Sequence, residues 1–284
     1  MTAAYRPTVV TPAPGAVRAA DVALKLWGDD TSGYVNDWIY VSNDKIQQLV
    51  FSLAPGTRFG HSERHRTNLG ADELFYVLSG VLVLANPETG EVHRVEPGEA
   101  VWFGPDTWHH GVSQGTETLR VLEFFAPPPA TGSSQPYANT KPYLETPTYV
   151  QDDWLGAWPA AAAQARERHT QHVVRQDDVL WRLEGEDVLV GILLSTDQLT
   201  CGSIELLPGQ HSDVRSHGGD CAGYVVDGRL NLLLPEGVDG SAGKLWFQVE
   251  CDDGFFVPGG IPYQLFNMTD RPVGLLFGVA PTYA

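Results

Sequence analysis

Short apolar runs alternate with turn signals along most of the chain. Segments 37–41, 46–53, 73–78, 81–85, 91–95, 100–103 and 119–125 are rich in Val, Leu, Ile and aromatics, and Pro, Gly, Asn and Ser cluster between them. Asn86-Pro87-Glu88-Thr89-Gly90 reads as a hairpin turn between two such runs. A strand roughly every eight to twelve residues predicts an antiparallel sandwich or barrel. After 173 the pattern resumes at 188–194, 202–207, 223–226, 230–234, 245–249, 254–257 and 273–279. Between the halves, Pro159 opens an alanine run that ends in Arg166, Arg168 and His169, which predicts one helix. The Pro/Ala/Thr-rich residues 1–20 predict an extended arm, either disordered or laid on the sheet edge of a partner.

The two halves repeat each other. Leu53-Ala54-Pro55-Gly56 matches Leu206-Leu207-Pro208-Gly209, and the run from Gly70 to Gly80 matches that from Gly218 to Gly228. Residues 98–104 match 252–258, and Phe124-Phe125-Ala126-Pro127 matches the stretch from Phe277 to Pro281. A repeat of this length predicts two similar domains. The expected division is an arm (1–20), a first domain (21–129), a connector with one helix (130–175) and a second domain (176–284).

Composition narrows the classes. The chain has 284 residues, a formal net charge of −17 and 43% hydrophobic residues, enough for a sizeable core. The charge argues against nucleic acid and anionic lipid as partners. No membrane span or leader is read, and three cysteines without framework spacing (Cys201, Cys221, Cys251) suit a reduced, cytoplasmic setting.

Two constellations carry chemistry. Glu73 enters a strand that ends at Gly80, and Gly98, Gly104, Asp106, His109 and Ser113 follow at fixed spacing. These landmarks, and the duplication, resemble the cupin superfamily in its two-domain, bicupin form. The resemblance implies an all-β fold: two tandem cupin barrels of the double-stranded β-helix or jelly-roll type, with a short helical connector. It also implies a metal site of three histidines and one glutamate. The usual His-x-His positions before Glu73 fall on Arg66 and Asn68, or Thr67 and Leu69, so His61 and His65 are the expected substitutes, delivered by the loop from Gly56 to Gly70. The expected metal set is therefore His61, His65, Glu73 and His109, with Glu73 and His109 the catalytic pair. Arg58, Arg66, Tyr76, Trp108 and His110 are the expected substrate contacts. In the second half His211, His217, Cys221 and Tyr263 form a candidate site in which cysteine and tyrosine stand where glutamate and histidine belong.

Three functions follow from the resemblance. The first is a metal-dependent, dioxygenase-type oxidoreductase in the N-terminal barrel, acting on a small aromatic or carbonyl compound. Its cofactor is a divalent transition metal, Fe(II) first, with Mn, Ni, Cu or Zn as alternatives. The second is a non-redox isomerase, cyclase or lyase that uses the metal as a Lewis acid, or Glu73 and His109 as acid and base without one. The third is a non-catalytic small-molecule-binding bicupin. A homodimer is the expected assembly.

Overall fold

Successive side chains of a strand point to opposite faces, so an alternating run can bury one face in a barrel and the other against a neighbour. The computed structural model describes residues 9–127, 141–238, 240 and 242–284. The first part of the expected arm and residues 130–140 of the expected connector lie outside the described residues. In chain order the first half contains β1 (Gly15–Val17), β2 (Ala23–Asp29), β3 (Gly33–Ser42), β4 (Gln47–Leu53), β5 (Arg58–Phe59), β6 (Asp72–Ser79), β7 (Leu82–Asn86), β8 (Glu91–Val95), β9 (Ala100–Phe103), β10 (His110–Ser113) and β11 (Leu119–Ala126). A single α-helix among the described residues, α1 (Ala160–Glu167), leads to β12 (Gln171–Val174). The second half contains β13 (Leu180–Glu184), β14 (Val188–Ser195), β15 (Thr200–Leu206), β16 (Asp220–Asp227), β17 (Arg229–Leu234), β18 (Leu245–Glu250), β19 (Gly254–Val257), β20 (Gln264–Phe266) and β21 (Val273–Ala280).

These strands build two tandem jelly-roll barrels, as expected. The first pairs a seven-stranded sheet, β12-β9-β6-β11-β4-β3-β2, with a four-stranded sheet, β5-β10-β7-β8. The second pairs β1-β19-β16-β21-β15-β14-β13 with β18-β17-β20. All pairings are antiparallel. Phe75, Val77, Val101 and Phe103 of the large first sheet meet Leu82, Leu84 and Phe59 of the small one inside the first barrel. The opposite faces of the two large sheets pack back to back. Leu74, Leu122 and Phe124 meet Ala222, Tyr224 and Leu276 there, with Tyr40 and Tyr224 edge to face at 5.5 Å. Each large side chain buried in this way contributes about 1.5–3 kcal/mol.

Two segments differ from expectation. The end of the arm lies on the chain's own second barrel: Gly15, Ala16 and Val17 pair with Phe256, Phe255 and Gly254. This covers the β19 edge, which would otherwise present unpaired backbone groups. Gly15 is required there, since it has φ of 132° and a Cβ would sit 2.7 Å from the Phe247 ring. The end of the connector is also a strand. β12 pairs with β9 and completes the first sheet.

Candidate active site

The inward face of the first sheet is apolar except at a few positions. Glu73 stands opposite Phe103 and Phe125, Glu123 opposite Phe75 and Leu49, and Asp37 opposite Phe51. β3, β4, β11 and β6 therefore bring Asp37, Gln47, Glu123 and Glu73 to one interior cavity of about 120 Å³. His109, His65, Arg64, Arg66 and Thr67 also line it, among Trp27, Phe51, Phe59 and Phe75. Three acidic side chains in an aromatic-walled space is a costly arrangement, because burial disfavours their charged forms. Burial pushes Asp37 up to about 7, and the Lys25 charge offsets it only in part. Burial and the neighbouring Asp37 push Glu123 up to about 8. Burial first, then Glu123 and Asp72, hold Glu73 well above the usual carboxylate range.

Glu73 and His109 face each other. His109 Nδ1 lies 3.3 Å from the Thr107 carbonyl oxygen, which can only accept, so Nδ1 carries the proton and Nε2 is the bare nitrogen. That Nε2 is 3.9 Å from Glu73 Oε2. Glu73 Oε2 is buried and has no hydrogen-bond partner. Burial also pulls His109 down to about 4. Burial thus favours the protonated carboxyl of Glu73 and the neutral imidazole of His109. Phe75 and Phe103 hold the His109 ring, at centroid distances of 5.5 and 4.7 Å.

The remaining expected residues are spread over several places. His65 lines the same cavity, with Nδ1 3.2 Å from Asp29 Oδ2. His61 turns away from it and pairs through Nδ1 with His110 Nε2 at 2.7 Å, against Trp108. His110 and Arg58 border a separate cleft on the outside of the barrel. Arg66 reaches the Lys141 carbonyl oxygen and lies over the Tyr143 ring at 5.5 Å. Tyr76 alternates with Glu73 along β6 and packs between the two barrels. Asp37, Gln47 and Glu123 are cavity residues that the motif spacing does not reveal. The signal for Glu123 is its place as the single charge in Val121-Leu122-Glu123-Phe124-Phe125.

The implied divalent metal can be tested against this donor set. The orphaned Glu73 oxygen facing a bare imidazole nitrogen supplies two donors. Among the described residues no third His, Cys, Asp or Glu completes a close group there. The expected histidine-pair positions hold Arg66 and Asn68, and Asn68 is buried with both side-chain polar atoms unpartnered. The cavity thus does not fit a resident centre with three or four protein ligands. The described group with metal-ligand spacing lies elsewhere: Glu91, His93 and His169, with ligand atoms within 4.8 Å of one another. It is a possible metal site. Its carboxylate already accepts from His93, Thr170 and Gln171, which ties β8 to the start of β12.

In the second barrel the candidate residues are joined to each other. Tyr263 Oη lies 2.9 Å from His217 Nε2 and 3.4 Å from Cys221 Sγ, and His217 Nδ1 bonds the Tyr283 carbonyl oxygen. Burial pushes the Cys221 thiol up to about 11 and the Tyr263 hydroxyl well above its ordinary value. His211 lies apart, against Phe266.

Comparison with known proteins agrees with this architecture. Residues 49–125 match the cupin domain. Solved structures share the fold across nearly the whole chain. AerE from Microcystis aeruginosa is 9% identical, with TM-score 0.59, covering 91% of this chain and 97% of that one. The oxalate decarboxylase of Lactobacillus farciminis, solved as a formate complex, is 13% identical, with TM-score 0.62 and coverage of 98% and 89%. A variant of the Bacillus subtilis oxalate decarboxylase is 15% identical, with TM-score 0.60 and coverage of 97% and 79%. No curated protein matches the sequence. Among the described residues no helix is long and apolar enough to cross a membrane.

Proposed function

We propose that the cavity of the N-terminal barrel is the active site of a small-molecule enzyme that moves protons without redox chemistry, an isomerase or lyase. The observation that carries this is the unpartnered Glu73 Oε2 facing His109 Nε2 at 3.9 Å. Glu73 donates a proton from Oε2 and His109 accepts one at Nε2, so a substrate seated against both groups loses a proton at one atom and gains one at a neighbouring atom. The cavity takes a molecule of a few heavy atoms with a flat or apolar part against Phe51, Phe59 and Phe75. Arg64, at the rim, is placed to hold an anionic group. The oxalate decarboxylases that share the fold act on a small carboxylate, which supports a small carboxylic acid here.

A second reading, a divalent-metal enzyme that includes the Fe(II) dioxygenase, is favoured by the same orphaned oxygen, since a cation between Glu73 and His109 would satisfy both. One experiment separates the two. Purified protein, Glu73→Gln and His109→Gln are assayed for metal content, oxygen uptake and solvent-deuterium incorporation into a panel of small keto and hydroxy acids. Deuterium incorporation that needs both residues and no metal supports proton transfer. Stoichiometric metal lost in both variants, with oxygen uptake, overturns it in favour of the oxygenase.

A further inference from the structure

Outside the first barrel lies a second cleft, of about 600 Å³, between the outer face of the small sheet and segment 143–149. Its floor is apolar: Val83, Ala85, Val92 and Val112 project from β7, β8 and β10 away from the interior. At one side a chain of three polar rings runs inward from the surface. Tyr149 Oη lies 2.8 Å from His110 Nδ1, His110 Nε2 lies 2.7 Å from His61 Nδ1, and His61 Nε2 lies 2.8 Å from the Leu144 carbonyl oxygen.

The last acceptor fixes the direction of the whole chain. A carbonyl oxygen only accepts, so His61 Nε2 carries the proton and Nδ1 accepts from His110 Nε2. His110 Nδ1 is then bare and accepts from the Tyr149 hydroxyl. Burial and the neighbouring His61 pull His110 down to about 3, so the neutral forms hold throughout. The Tyr149 proton is therefore committed inward, and its oxygen offers the cleft lone pairs only. Tyr149 is 50% exposed, so that oxygen is reachable. Arg58 borders the same cleft, and its guanidinium makes no hydrogen bond or ion pair with any described residue. Asp30 and Glu145 also border the cleft, and Asp30 is engaged by the Tyr34 hydroxyl.

We propose that this cleft is a second small-molecule site, for a flat, mainly apolar molecule carrying an anionic group at one end and a hydroxyl or N–H donor at the other. Arg58 takes the anion, the valine floor takes the flat body, and Tyr149 accepts the donor. An ether or a methylated analogue in place of the donor is disfavoured, because Tyr149 has no proton to give it.

The test is calorimetry or ligand-observed NMR with 4-hydroxybenzoate and 4-methoxybenzoate on the full chain. The parent protein binds the hydroxyl compound about tenfold more tightly, the worth of one well-placed hydrogen bond. Tyr149→Phe, a half-exposed position that leaves the fold intact, abolishes that preference. Arg58→Gln weakens both probes by a similar factor, and Glu73→Gln, in the inner cavity, changes neither. Equal binding of the two probes, binding of neither, a preference that survives Tyr149→Phe, or sensitivity to Glu73→Gln alone each overturns the assignment.

Discussion

Where the first barrel carries Asp37, Glu73, His109 and Glu123, the second carries Val190, Cys221, Tyr263 and Phe277. The registers make the match. Asp37 opposite Phe51 corresponds to Val190 opposite Ile204, and Glu123 opposite Phe75 corresponds to Phe277 opposite Gly223. The second interior is filled to match. A Cβ on Gly202 would meet the Phe277 ring at 2.7 Å, and one on Gly223 would meet Phe255 at 2.1 Å, so glycines make room for aromatic rings there. Phe277 and Tyr283 then stack at 6.0 Å, and Arg215, paired with Glu184, lies over Phe277. One strand plan therefore supports a plugged barrel and a hollow, acid-lined one. Burying carboxyl groups costs stability. The first interior carries that cost where the second is filled by apolar groups, which is why the proposed site lies in the first.

The largest expected effect concerns turnover. Glu73→Gln or His109→Gln lowers the rate by about 10²–10⁴-fold, the range for loss of a positioned acid or base. Cys221→Ala and Tyr263→Phe stay within about twofold, since no catalytic group is touched. Steady-state kinetics on all four reads the contrast, and equal losses in both barrels would break it.

Stability gives an opposite contrast. Phe277→Ala opens a hole in the plugged barrel and costs about 3–5 kcal/mol. Glu123→Leu, at the matching place in the hollow barrel, removes a buried acid and gains about 1–3 kcal/mol. Denaturant melts measure both, and a loss in Glu123→Leu would show that its carboxyl is satisfied.

The smallest effect is a pH slope. Asp37 and Glu123 keep their protons up to about 7 and about 8 when folded, against about 4 when unfolded. Between those values the folded chain holds more protons than the unfolded one, so stability falls as pH rises and levels off above about 8. His109 works the other way below about 6.5, because its folded value lies lower, so the clean window is about 6.5–8. Thermal midpoints across that window decline in the parent and decline less steeply in Asp37→Asn/Glu123→Gln, where Glu73 is the remaining raised acid. A flat parent profile would contradict the buried acids.

The chain's periodicity made the barrels legible, and the spacing of Glu73, Gly80, Gly98 and His109 pointed to one pair of facing side chains. Asp37 and Glu123 were not legible as neighbours of Glu73. Strand order β3-β4-β11-β6 brings together residues far apart in sequence, and only the register puts them on one face. The spacing leaves open whether the loop from Gly56 to Gly70 brings His61 or His65 towards Glu73, and of the two His65 lines the cavity. The loop delivers His61 outward, because His110, one residue past the inward His109, lies on the other face of its strand and offers a partner there. Tyr149 sits in a segment without strand periodicity, and its role comes only from what it touches.

The strand β1 has a consequence for how the molecule is made. Gly15 must find Phe256, and Arg18 must find Asp253 at 2.6 Å. In synthesis from the N-terminus, Gly15 is made well before Phe256 and waits for it before it can be placed. Such long-range pairing is slow to form. The first barrel can close while its leading segment is still loose. The clasp between the halves then forms only once β19 is in place, which makes it a late seal between the two barrels.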